Sequence, residues 1–84
     1  MFEVVVTPHA LRDLRKLPQT VIKRIDRAIL TLRSPYVAGV KHLRDHQLAD
    51  WRIRVGEYRI LFDIDEVRKV VVILRVGHRK DIYR

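Results

Sequence analysis

The chain has 84 residues, 48% of them hydrophobic and none of them cysteine. That suits one domain over residues 1–84, excludes a two-lobed enzyme, and excludes disulfides, thiolate metal sites and a cysteine nucleophile. Eighteen Lys and Arg, 13 of them Arg, stand against 10 Asp and Glu for a net charge of +8. Such an excess points to a polyanionic partner, and the planar guanidinium fork favours phosphate.

The longest apolar run, residues 70–74, is far short of the roughly 20 residues a bilayer requires, so no membrane association is expected. The N-terminus lacks a basic leader and a cleavage-like site, so no signal peptide is expected and the location is expected to be cytoplasmic.

Residues 2–6 (FEVVV) are short and β-branched and read as a strand. Thr7-Pro8 then supplies an N-cap and a first-position proline. Leu11, Leu14 and Leu17 mark a short helix with one apolar stripe, which Pro18 interrupts while opening a second. There Ile22, Ile25, Ile29 and Leu32 mark the buried face, with Val21 and Ala28 beside it and Lys23, Arg24 and Arg27 outside. Ser34-Pro35 stops this helix. Residues 36–50 show no periodicity and read as a loop anchored by Leu43 and Leu48.

The second half reads as strands. Trp51–Val55 alternates strictly, and Gly56-Glu57 is a Gly-first two-residue turn. Tyr58–Asp65 and residues 69–76 follow, joined near residues 66–68. The turn sets Val55 opposite Tyr58, Arg54 opposite Arg59 and Arg52 opposite Leu61. In the next hairpin, keeping apolar residues together pairs Ile64 with Val70, Phe62 with Val72, Ile60 with Leu74 and Arg59 with Arg75. The expected fold is therefore α+β: an N-terminal strand, a two-helix α-hairpin and a three-stranded antiparallel meander, with the helices on one sheet face. The opposite face gathers Arg52, Arg54, Arg59 and Arg75 at one end and Leu61, Asp63, Val71 and Ile73 at the other. Like charges directly opposite on a sheet repel, so an anion is expected among the arginines, and the apolar end needs cover.

Gly77 allows a bend after the last strand, and His78, Arg79 and Lys80 are expected beside Arg75, with Tyr83 a turn later. No other constellation competes. His42 and His46 are four apart, but two ligands are too few for a metal site.

Four blocks carry a resemblance: the opening strand, the helical hairpin with Leu14-Arg15-Lys16-Leu17-Pro18, the segment Trp51-Arg52-Ile53-Arg54-Val55-Gly56-Glu57-Tyr58-Arg59, and the ending Leu74-Arg75-Val76-Gly77-His78-Arg79-Lys80-Asp81-Ile82-Tyr83. Over nearly the full length the chain resembles the RelE/ParE superfamily of toxin–antitoxin toxins, and within it is most similar to the RelE branch. The resemblance implies a ribosome-dependent endonuclease that cleaves mRNA in the A site without a metal or other cofactor, leaving a 2′,3′-cyclic phosphate (or 3′-phosphate) and a 5′-hydroxyl. It implies a cognate antitoxin, expected to be acidic, through which operator DNA is reached. Carried over by position, the catalytic set is Arg52, Arg54, Arg59, Arg79 and Tyr83; beside it, Arg75, His78, Lys80 and Arg84 are expected as RNA contacts.

The chain departs from the family pattern at the basic pair, which is Arg52 and Arg54 where RelE-like chains have Lys. Arginine stays protonated and cannot serve as a conventional general base, so Tyr83, His78 or catalysis mainly by electrostatics stay open. The alternatives are a ParE-like inhibitor of DNA gyrase and a nuclease-inactive basic module bound only by its antitoxin.

Overall fold

The computed structural model describes residues 1–44 and 48–82. In chain order these form β1 (Glu3–Val6), α1 (Pro8–Arg15), α2 (Gln19–Thr31), β2 (Val40–His42), β3 (Trp51–Val55), β4 (Tyr58–Asp65) and β5 (Val70–His78). No helix among them is long and apolar enough to cross a membrane.

The helical hairpin forms where the sequence signals place it. The Thr7 hydroxyl accepts from the Ala10 N–H at 3.2 Å and Pro8 opens α1, which answers one of the unpaired amides of the first turn. Pro18 caps α2, whose Ile25 is buried, as is Leu32 at its C-cap. The stripe on α1 differs from expectation. Leu11 is exposed, and Ala10 and Asp13 take the buried positions, because α1 is held against β5 by polar contacts as well as by packing.

The expected meander is the centre of a larger sheet, ordered β1-β5-β4-β3-β2. β1 lies parallel to β5, and the short β2, in the stretch expected to be loop, lies antiparallel to β3. The β3–β4 hairpin has the expected register, with Arg54 opposite Arg59 and Arg52 opposite Leu61. Gly56 takes φ +60° at the first turn position, as the Gly-first turn requires.

The β4–β5 register does not follow strict alternation. The loop has four residues, closed by Asp65 opposite Val70. Asp65 accepts from the N–H groups of Val67 and Arg68, and Lys69 adopts φ 57°. This slips the pairing by one residue, so Ile64 meets Val71 and Phe62 meets Ile73. An irregularity between Leu61 and Phe62 adds one more step, after which Ile60 meets Val76 and Arg59 meets Gly77 rather than Arg75. The bulge lets Val71, Ile73 and Val76 share one face despite their uneven spacing.

That face seats both helices. Ala10, Ile25, Leu32, Ile53, Ile60, Phe62, Val71, Ile73 and Val76 form the main core, so Val71 and Ile73 belong here and not on the far face. On the far face Leu61, Ala49 and Ile82 form a second cluster, with Leu43 and Leu74 packed on it. The expected cover over Leu61 therefore exists, supplied by Ala49 rather than the exposed Leu48.

Candidate nucleic-acid interface

The far face carries its cations in two rows. Lys41, Arg52, Leu61 and Arg75 stand opposite one another across β2 to β5, and Arg54, Arg59 and Gly77 form the next row. Cβ atoms of directly opposed residues typically stand about 4.5–5.5 Å apart, so Arg54 and Arg59 are immediate neighbours. The ladder runs on past β5, with the Arg79 N–H donating to the Glu57 carbonyl at 2.8 Å. Arg79 thereby reaches the tip of the β3–β4 hairpin, where its Nε meets Glu57 Oε2 at 2.6 Å. Both of these side chains are more than half exposed, and an ion pair so exposed to water contributes at most about 1 kcal/mol. An arriving phosphate can displace that carboxylate at small cost.

Two other arginines are not open to a ligand in this way. Arg52 is only 8% exposed. β2 lies outside β3, so β3 is an inner strand and not the edge the meander implied. Arg75 turns to the helical layer, where its Nε donates to Asp13 Oδ2 at 2.8 Å. The four arginines expected on one open face thus separate into exposed Arg54, half-buried Arg59, buried Arg52 and paired Arg75.

The tail also differs from expectation. Gly77 lies inside β5 without positive φ, and the bend comes after it. The N–H groups of Asp81 and Ile82 both donate to the His78 carbonyl, which returns Ile82 over Gly77. A Cβ on Gly77 would stand 3.5 Å from the Ile82 Cβ. His78 faces Tyr58, not Arg75, with ring centroids 5.4 Å apart and nearly perpendicular. Its Nδ1 accepts from the Lys80 N–H at 3.1 Å, so in the neutral ring Nε2 carries the proton and is free to donate. Lys80 is exposed. Tyr83, Arg84 and His46 lie outside the described residues.

Sequence reasoning missed Lys41, Glu57 and Asp13. Lys41 sits on a three-residue strand with no pattern to reveal it. Glu57 read only as a turn residue. Asp13 did leave a signal, an acid among the apolar positions of α1.

The model of the ParE toxin of type II toxin–antitoxin systems, parDE, matches residues 4–83. Toxin RelG of Mycobacterium tuberculosis is 42% identical over 85 residues, spanning 99% of this chain and 97% of that protein. The RelBE2 toxin–antitoxin complex of the same organism contains a chain of the same fold, with a TM-score of 0.83 and 35% identity over 93% of this chain and 98% of that one. The archaeal RelE–RelB complex from Pyrococcus horikoshii OT3 shares the fold at a TM-score of 0.78 and 24% identity, over 95% and 97% of the two chains. With 80 of its residues inside the family model and its fold shared with RelE-type toxins, this chain belongs to the RelE/ParE family of type II toxin–antitoxin toxins.

Proposed function

We propose that this chain is a ribosome-dependent mRNA endonuclease that cuts the message in the A site, and that a cognate antitoxin of acidic character silences it in the cytoplasm. The observation that carries the reading is the convergence of Arg54, Arg59 and Arg79 on the hairpin end of one sheet face. In the proposed step a ribose 2′-hydroxyl attacks the adjacent phosphorus and the bond to the 5′-oxygen breaks. This leaves a 2′,3′-cyclic phosphate and a 5′-hydroxyl. Arg59 and Arg79 hold the phosphate in line and meet the charge that builds on it, with Arg54 beside them. No metal is required, because the guanidinium groups supply the positive charge. His78 Nε2–H and Lys80 add donors to the RNA backbone, Arg52, 8% exposed, adds its charge from within the same face, and Tyr83 and Arg84 follow directly in the chain. Tyr83 is the group proposed to move the proton.

The names of similar proteins support the RelE side of the family, and the RelBE2 and archaeal structures are complexes with an antitoxin. The basic surface suits an acidic partner of that kind. Purified protein added to ribosomes programmed with a defined mRNA, with cuts mapped by primer extension, tests the reading. Cuts in the A-site codon that need ribosomes are expected. No cuts with or without ribosomes would overturn it, and a supercoiling assay would then test gyrase inhibition.

A further inference from the structure

We infer that Asp13 is a positioning residue that takes Arg75 out of the RNA-binding set and fixes the C-terminal half of β5. The inference rests on the reading of the far face as an RNA-binding surface.

The geometry is specific. Asp13 is 9% exposed, on the second turn of α1. Its Oδ2 accepts from the Arg75 Nε at 2.8 Å and from the Val76 N–H at 3.0 Å, and its Oδ1 lies 3.5 Å from the Arg75 Nη2. β1 ends at Val6, opposite Ile73, so beyond that point β5 has no strand neighbour on its β1 side. Asp13 fills the gap by capping the Val76 amide, which a sheet edge would otherwise leave unpaired. Thr7, the N-cap of α1, holds β5 three residues earlier from the other side of the hydrogen bond, its N–H donating to the Ile73 carbonyl at 3.1 Å. α1 is therefore fastened to β5 at two points, on either side of Leu74 and just before Gly77, His78 and Arg79.

The pair also differs from Glu57–Arg79. Its side chains are 10% and 23% exposed, against 62% and 52%. A carboxylate so enclosed, with a second donor from the backbone, does not yield to a passing phosphate. Asp13 thus sets which arginines meet RNA: Arg79 is lent to the ligand and Arg75 is kept.

The test reads how binding of a single-stranded, non-cleavable oligonucleotide depends on salt, since each phosphate contact steepens the log–log slope by about 0.7. Arg75→Gln is expected to leave the slope of the native protein unchanged, whereas Arg79→Gln flattens it by about 0.7. Asp13→Asn frees one guanidinium and is expected to steepen it by about 0.7, and adding Arg75→Gln to that variant restores the native slope. A loss of stability alone moves none of these slopes. If Arg75→Gln flattens the slope as Arg79→Gln does, Arg75 binds RNA directly and the inference fails. It fails equally if folded Asp13→Asn keeps the native slope. Should Asp13→Asn not fold, the Arg75→Gln slope still decides. These slopes together with no cleavage on ribosomes would overturn the proposed function and leave the role of Asp13 standing.

Discussion

The two faces of the sheet divide the work between them. The helix-side face buries six residues, Ile53, Ile60, Phe62, Val71, Ile73 and Val76, against Ala10, Ile25 and Leu32 of the helical layer. The far face has three, Ala49, Leu61 and Ile82, and is otherwise given to charge. A chain this short has little surface to spare for burial, so concentrating apolar area on one side leaves the other free to hold repelling guanidinium groups. Stability and the proposed RNA contact are thereby set on opposite surfaces, and a substitution is expected to disturb one more than the other.

The largest effect belongs to the helix side. Phe62, fully buried opposite Ile73, is expected to cost about 3–5 kcal/mol as Phe62→Ala, enough to unfold a marginal domain. Ile82→Ala, which opens only the thin far-side cluster, is expected near the low end for such changes, at about 2 kcal/mol. Denaturant unfolding of both variants measures the contrast, and equal losses would mean that the far-side cluster is a second core and not a cover.

The next effect is on activity. Arg59→Ala and Arg79→Ala are each expected to lower ribosome-dependent cleavage roughly 100-fold, in line with removing one donor from a charged transition state. Both should relieve growth arrest, leave antitoxin binding mostly intact and shift stability by no more than about 0.5 kcal/mol. Full toxicity in both variants would remove these arginines from the site. A large loss of stability in either would show that the far face also supports the fold.

How much of this was legible depended on how local the signal was. The β3–β4 hairpin could be read to the residue, because Gly56-Glu57 fixes the turn and Trp51–Val55 alternates strictly. That placed Arg54 opposite Arg59 correctly. The β4–β5 hairpin could not. Residues 70–74 (VVVIL) are apolar at every position, so a one-residue slip leaves no trace in the pattern. The loop that causes the slip relies on Lys69 at φ 57°, where no glycine advertises the left-handed conformation. Residues whose partners are distant in sequence were the least legible. Arg75 is claimed by Asp13 across 62 positions, and Arg52 is buried on the strand that the unforeseen β2 flanks.

The smallest effect tests what Gly77 is for. It stands opposite Arg59, inside a strand, with no positive φ to demand glycine. Its nearest neighbour is Ile82, whose Cβ would lie 3.5 Å from an added methyl group, an ordinary contact. Packing alone therefore accommodates alanine. A strand interior favours alanine over glycine by roughly 0.5–1 kcal/mol, so Gly77→Ala is expected to change stability by less than about 1 kcal/mol and to leave cleavage nearly unchanged. If stability holds and cleavage falls sharply, Gly77 serves the ligand and not the fold: the RNA backbone must approach the strand beside Arg59 more closely than a methyl group permits. Such a result would move the bound phosphate off the guanidinium tips and onto the floor of the sheet.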